Sequence, residues 1–413
     1  MTDLRLADPG HEGSWLNDPV HRRYLRADAE RQVRFFALSL RGDGGFDALD
    51  HDAQPLLRQG QELHTTTRLV HSFALASAAG FGGTEEIVDA GMRYLWTVHR
   101  DPMHGGYLWS VDENGVHDGS KLAYGHVFVL LAASSAALIG HPLAQTLMED
   151  ILTVLDTRFS DEGRALFQDE FTRDWQVFSD YRGMNANMHG TEALLAAYEA
   201  TGDRRHLDRA GDILDFFTRS MAGEYGNRIP EHYTSDWEVD PDYSGNPMFR
   251  PAGTTPGHSL EFARLMLHHW DLAGRPEGDT VGRARALVTQ ALSDAWREDG
   301  GLVYTLNAAG GVAIPDRYWW PVTEGIGALA SLLKISADAK LEAWYRRLWK
   351  FAHGALIDRE RGGWYPELGE DGRPVSRQFI GKPDIYHALQ ADLLPLAPGL
   401  SRSIEGLRDT RGA

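Results

Sequence analysis

The chain has 413 residues, no cysteine, and 59 Asp plus Glu against 41 Lys plus Arg, a formal charge of -18. Disulfide scaffolds, thiolate metal sites and cysteine nucleophiles are therefore excluded, and the acidic balance argues against nucleic-acid binding. The 12 Trp, 14 Tyr and 16 Phe fit either core packing or rings that stack on sugar faces. The N-terminal stretch has no apolar h-region, and the longest apolar run, Val127 to Ile139, is too short to span a bilayer and contains Ser134 and Ser135. A cytoplasmic protein without membrane contact is the expectation.

A Gly-Gly pair followed by an aromatic or apolar residue recurs along the chain. It appears at Gly44-Gly45-Phe46, Gly105-Gly106-Tyr107, Gly300-Gly301-Leu302 and Gly362-Gly363-Trp364. The first two lie about 61 residues apart, as do the last two, and the middle gap of about 195 is close to three periods. The missing members are expected near 167 and 230, where short apolar-polar alternations predict strands or hairpins. That makes six units.

Each unit carries two helical patterns. One set is amphipathic and predicts outer helices at 24–40, 87–99, 143–158, 206–220, 281–296 and 341–356. The other set is Ala-rich and apolar nearly all round, the mark of buried helices. It covers 65–78, 122–138, 187–200, 258–272, 322–335 and 384–394. The expected fold is an all-α (α/α)6 barrel of six inner and six outer helices with short β-hairpins at one end. A single catalytic domain is expected over 1–413, with 1–20 and 398–413 as peripheral tails. An open solenoid would need polar capping repeats, and neither end reads as one.

Polar residues gather where the inner helices begin: Thr65-Thr66-Thr67-Arg68, Tyr124-Gly125-His126, Asn185 to His189, His258 to Glu261, Thr323-Glu324 and Tyr386-His387. In a closed ring all six groups converge on one axial pocket. Taken singly, each has an ordinary role as a cap or a dipole partner. Three His, an Arg and two Glu at equivalent positions of different repeats point instead to a site. His268 and His269 sit in a last helical turn, where the dipole suffices. Tyr124 and Trp319-Trp320 fit core aromatics or sugar platforms. His258 and Glu261 are three apart on one helix face, so Glu261 is expected to orient the imidazole for proton transfer near neutral pH. Metal ligation by His and carboxylate is disfavoured because a second spaced motif is lacking and Arg68 opposes a cation. Paired carboxylates for glycoside hydrolysis stay open.

The segments HTTTR (64–68), MNANMHGTEALLAAYEATGD (184–203), PGHSLEFARLM (256–266), RYWWPVTEG (317–325) and KPDIYHALQA (382–391) together resemble the N-acylglucosamine 2-epimerase superfamily, and within it the aldose–ketose isomerases that act on mannose or sulfoquinovose. The likeness runs from about residue 20 to 396. It implies an (α/α)6 barrel and a metal-independent interconversion of D-mannose and D-fructose, with D-lyxose and D-xylulose as smaller analogues, through ring opening and a cis-enediol. It further implies that His387 moves the proton between C2 and C1 and that His258, oriented by Glu261, assists ring opening. His189 would be a third acid/base or hydrogen-bonding group, and Arg68 would stabilise the enediolate oxygen. Tyr124, Asn185, Trp320 and Glu324 would bind sugar hydroxyls or stack on the ring. No metal and no cofactor are expected; the partner is a monosaccharide, and a homo-oligomer is compatible with the sequence. Sulfoquinovose would need extra donors, for which Arg250 and Lys382 are candidates. A 2-epimerase, which needs bases on both faces of C2, and a non-catalytic sugar-binding protein are the competing readings. The insert 224–255, rich in Pro, Gly and Tyr, fits a lid or an interface equally.

Overall fold

The computed structural model describes residues 5–56, 60–243, 245 and 250–409. Fourteen helices follow one another along the described chain. The outer ones are α1 (Pro19–Phe36), α3 (Thr84–Tyr94), α5 (Ala144–Val154), α7 (Arg204–Leu214), α10 (Thr280–Ala295) and α12 (Ala339–Phe351). The inner ones are α2 (Leu63–Ala78), α4 (Ala123–Leu138), α6 (Met184–Thr201), α9 (Pro256–Leu272), α11 (Trp319–Ile335) and α13 (Tyr386–Leu396). Two short ones, α8 (Ala222–Glu224) and α14 (Ser403–Asp409), complete the set.

The inner helices pack in the order α2, α4, α6, α9, α11, α13, and α13 returns to α2. The ring is therefore closed, as the (α/α)6 expectation required, and the open solenoid is excluded. Burial explains the division of labour. All of α4 from Val127 to Ala136 is buried, whereas α7 buries only Leu207, Ala210, Ile213 and Leu214 along one stripe. Four outer helices end in a widened π-turn, at Leu95–His99, Leu155–Phe159, Asp215–Met221 and Ala352–Leu356. The apolar pattern continues through these turns, which is why the sequence predicts longer outer helices.

Short antiparallel pairs stitch the units together at one end. Gln61 faces Val111, Lys121 faces Phe171, Arg182 faces Tyr233, and Arg317 faces Leu368. Single bridges at Thr254–Leu306 and Leu49–Lys382 fill the remaining two seams. The repeat member expected near 167 is a turn closed by Ser160 and Phe167, like those at Arg100–Tyr107 and Ile357–Trp364. The one near 230 differs, since Pro230 pairs with Thr254 across the unit. Gly362 and Gly363 have φ of 99° and 72°, and a Cβ on Gly362 would lie 2.4 Å from the Arg31 carbonyl oxygen. This Gly-Gly pair thus forms a left-handed turn pressed against the first helix.

One apolar core runs from Trp15 to Leu407. Trp15, Leu16, Ile404 and Leu407, in the segments expected to be peripheral, are buried in it. Residues 244 and 246–249 of the 224–255 insert lie outside the described residues.

Where α1 meets α13, Gln32 Nε2 donates to Asp392 Oδ2 at 2.6 Å and to Asp28 Oδ2 at 3.3 Å. Burial, and then the neighbouring Asp28, push the Asp392 carboxyl well above the usual range. A raised folded-state pKa means that this group stabilises the fold at low pH and stops doing so as pH rises through that value. Asp392→Asn keeps the shape and the acceptor for Gln32. It is expected to add about 1 kcal/mol at pH 8 and almost nothing at pH 4, measured by denaturant unfolding at both pH values.

Candidate active site

The N-terminal ends of the inner helices surround a cavity of about 370 Å³. Every inner helix contributes: His64 and Arg68 from α2, Tyr124 from α4, Asn185 and His189 from α6, His258 and Glu261 from α9, Trp319 and Trp320 from α11, and His387 from α13. Five of the six entry groups thus share one pocket, and α11 reaches it through Trp319 and Trp320 instead of Thr323 and Glu324. Not all of their members reach it. His126 Nδ1 donates to the Leu122 carbonyl and its Nε2 accepts from the Tyr107 N–H. Asn187 satisfies the backbone of Phe167 and Gly183. Thr323 donates to the Trp320 carbonyl. These three hold the helix entries in place.

His387 and His258 share one construction. His387 Nδ1 donates to Glu324 Oε1 at 2.8 Å, and His258 Nδ1 donates to Glu231 Oε1 and Oε2 at 2.9 and 3.0 Å. A carboxylate only accepts, so Nδ1 carries a proton in each ring, and whenever the ring is neutral its lone pair is on Nε2. Both rings lie near Trp320, with centroids at 4.9 Å for His258 and 5.9 Å for His387.

Two expectations are corrected here. Glu261 does not orient His258. The partner is Glu231, which also accepts from the Thr255 N–H. Glu261 lies one turn deeper, 3.5 Å from His189 Nδ1 and 3.5 Å from Arg264, because residues three apart on a helix share a face but not a depth. Glu324 does not line the cavity. It stands behind His387, so its side chain is spent on that ring.

Burial decides the remaining charges. His189 is pushed down to about 3, first by burial, with Arg68 and His387 adding to it against the pull of Glu192. It is neutral near pH 7 and suits hydrogen bonding better than proton exchange. Arg68 donates to Asp384 Oδ2 at 2.7 Å and to the Tyr124 hydroxyl at 2.6 Å. Burial opposes its charge, but Tyr124 and Asp384 outweigh that and keep it protonated. Its guanidinium also sits 4.6 Å from the Phe128 ring centroid. Asn185 lines the cavity with its Oδ1 buried and without a partner, an acceptor awaiting a donor. His64 stacks on Trp109 at 5.2 Å and 13°.

The two cations considered for a sulfonate fare differently. Arg250 lines the cavity, but both of its terminal nitrogens are bonded to Glu170, at 3.2 and 2.8 Å. Lys382 is fully enclosed elsewhere, on Asp358 and the Gly362 carbonyl. His268 pairs with Glu199 and His269 with the Leu207 carbonyl, both away from the cavity.

Glu231, Asp384, His64 and Arg264 were assigned no role by the sequence. A signal existed for Arg264: it is a cation on a helix buried all round, three residues from Glu261, and such a charge needs partners. Among the described residues, His189, Glu192 and Glu261, and again Glu261, Glu324 and His387, bring potential ligand atoms within 4.8 Å of one another. The Arg264 guanidinium already touches all three of these carboxylates, so a divalent cation would meet a positive charge in their midst.

A closed double ring of helices around a His- and carboxylate-lined pocket is the architecture of a sugar-epimerase type of barrel, and sequence comparison agrees. Residues 44–391 match the N-acylglucosamine 2-epimerase (GlcNAc 2-epimerase) family, and the chain belongs to it. It is 39% identical over 407 residues to a D-mannose isomerase of Pseudomonas cannabina pv. alisalensis, covering 95% of this chain and 98% of that one. It is 39% identical over 405 residues to a D-mannose isomerase of Thermobifida fusca, covering 96% and 99%. A crystal structure of a D-mannose isomerase superposes with a TM-score of 0.85 at 32% identity, covering 91% of this chain and 97% of that one.

Proposed function

We propose that the protein interconverts D-mannose and D-fructose, and the smaller pair D-lyxose and D-xylulose, without a metal. The observation that carries this reading is the paired construction of His258 and His387. Each is an imidazole whose Nδ1 donates to a buried carboxylate, and the two flank one Trp in one cavity. The full-length likeness to D-mannose isomerases supports it.

In this reading His258 Nε2 exchanges a proton with the pyranose during ring opening. His387 Nε2 then takes the hydrogen from C2 as a proton. The electron pair forms the C1–C2 double bond, leaving negative charge on the former carbonyl oxygen at C1, and the O2 hydroxyl proton passes to that oxygen across the cis-enediol. Return of the proton from His387 to C1, as the C2–O2 double bond forms, gives the ketose. One nitrogen on one face serves both carbons. Glu324 stabilises the imidazolium that forms between the two steps. Arg68, held by Asp384 and Tyr124, supplies positive charge for the developing enediolate oxygen. Asn185 and Trp320 contribute an acceptor and a flat face for the sugar.

Arg250 is neutralised by Glu170 and Lys382 is remote, which favours an unmodified sugar over a sulfonated one. The metal-free reading rests on Arg264 standing among the carboxylates. The protein is expected to work in the cytoplasm, where free hexoses are metabolised. The test is a product assay: purified protein with D-mannose and excess EDTA, sugars resolved by chromatography. Fructose should form at the rate seen without EDTA. Glucose as the first product would make the protein a 2-epimerase, and a rate lost to EDTA and restored by a divalent cation would overturn the metal-free reading.

A further inference from the structure

Beneath the cavity the barrel axis is blocked by charge. Arg264, on α9, is only 5% exposed, and the three carboxylates around it, Glu192, Glu261 and Glu324, are 5%, 0% and 2% exposed. Its Nε donates to Glu324 Oε2 at 3.2 Å, Nη1 and Nη2 donate to Glu192 Oε1 at 3.3 Å, and Nη2 reaches Glu261 Oε1 at 3.5 Å. The opposite oxygens of two of these carboxylates face outward. Glu324 Oε1 accepts from His387, and Glu192 Oε2 accepts from the Tyr386 hydroxyl. The third, Glu261, stands beside His189. One guanidinium thus lies a single residue behind three groups of α6 and α13 that border or support the cavity.

We infer that Arg264 is a positioning residue that sets the charge of the carboxylate behind His387 and so keeps that imidazole able to accept a proton. The inference rests on the proposed role of His387. These groups are at most 5% exposed, so solvent screens them little and each charge needs a partner. The Arg264 charge and the hydrogen bond from His387 hold Glu324 below its usual range against burial. Arg264 does the same for Glu192, with His189 helping. Burial and then Glu324 push Glu261 well above its usual range, so of the three carboxyls it is the one driven toward its neutral form. Two negative charges then surround one positive charge. The surplus negative charge is what an imidazolium at His387 neutralises.

Other groups facing the cluster are committed elsewhere: across the small cavity behind Arg264 and Glu192, Lys334 donates to the Leu394 and Gly399 carbonyls and His268 pairs with Glu199. His71 on α2 is lowered to about 4 by burial, so it is neutral, and His189 is neutral for the same reason. Tyr386 is raised well above its usual range and stays a hydroxyl. Arg68 is bonded to Asp384. Removing Arg264 therefore adds a full uncompensated negative charge beside the Glu324–His387 pair. That pair takes up a proton as a unit, at higher pH than before. If the proton resides on His387, the base is lost. If it resides on Glu324, that carboxyl donates to Nδ1, and Nε2 then carries the ring proton. Both arrangements stop Nε2 from accepting.

The experiment compares pH profiles of kcat and KM for mannose in wild type, Arg264→Lys, Arg264→Met and the double variant Arg264→Met with Glu192→Gln. In Arg264→Met the acid limb of kcat should move up by about one pH unit, with kcat at neutral pH about tenfold lower and KM within about threefold. Arg264→Lys keeps the charge and should leave the limb in place. Glu192→Gln removes one negative charge and should bring the limb back in the double variant. A purely structural role would lower the active fraction and leave the limb where wild type has it, and that result overturns the inference. The His387 ring signals, followed by NMR against pH in the unliganded proteins, give the same comparison without turnover. If wild type forms no fructose but the His387 signals still titrate at higher pH in Arg264→Met, the proposed reaction fails and the inference about Arg264 stands. Should Arg264→Met not fold, Glu192→Gln in the wild-type background provides the reverse case: its limb must move to lower pH, and an unmoved limb overturns the inference.

Discussion

His387→Asn should abolish isomerisation of mannose, with kcat reduced by about 1,000-fold or more, while the circular dichroism spectrum and unfolding midpoint stay close to wild type. The amide is smaller than the imidazole but can place its nitrogen where Nδ1 stood and donate to Glu324, so the buried carboxylate keeps a partner. What is lost is a nitrogen with a lone pair that can hold a carbon-derived proton. The loss falls on the only step that breaks a C–H bond, so it should appear in kcat and leave KM within a few-fold. Ring opening is a separate matter. The α and β pyranose forms of mannose interconvert through the open chain, and His258 is the group proposed for that step. His387→Asn should therefore still accelerate anomer exchange, followed by one-dimensional NMR exchange spectroscopy. A variant that loses both activities together would place His387 in ring opening and undermine the division of labour.

The second large effect concerns the carboxylate behind the other imidazole. Glu231→Gln should slow enzyme-catalysed anomer exchange by about 100-fold, close to the effect of His258→Asn. The reason lies in the tautomer. Glu231 accepts from Nδ1 through both oxygens, and this holds the lone pair at Nε2. A Gln at 231 can turn its amide nitrogen toward the ring, which favours the opposite tautomer. Because the two residues act as one unit, the double variant should cost little more than either single one. Additive losses would mean that Glu231 and His258 contribute separately. Glu261→Gln should have a much smaller effect on the same exchange, since Glu261 contacts His189 and Arg264 and makes no bond to His258.

The helices and their two rings are legible in the sequence because burial writes itself into composition. An inner helix such as FVLLAASSAAL has no polar face, and an outer one such as RRHLDRAGDIL has one apolar stripe. The convergence of Arg68, Tyr124, His189, His258 and His387 is legible because register alone places equivalent positions at one end of a closed ring. Their partners are not. The local pair His258–Glu261 is visible by its spacing, yet the contact that forms joins His258 to Glu231, across a loop 27 residues upstream. Glu324 and His387 are 63 residues apart, and Arg68 and Asp384 are 316 apart. Such pairings depend on how far each side chain reaches along the axis, which periodicity does not encode. Depth matters in the same way for Glu324, which reads as substrate-binding but stands behind His387 and is committed to that ring and to Arg264.

The most direct test of the account is a single reaction of D-mannose in deuterated water, sampled before equilibrium and resolved by proton and deuterium NMR. One base working on one face of a cis-enediol predicts fructose as the first product, with deuterium confined to one of the two hydrogen positions at C1. Glucose bearing deuterium at C2 and forming ahead of fructose, or fructose labelled equally at both C1 positions, would contradict it.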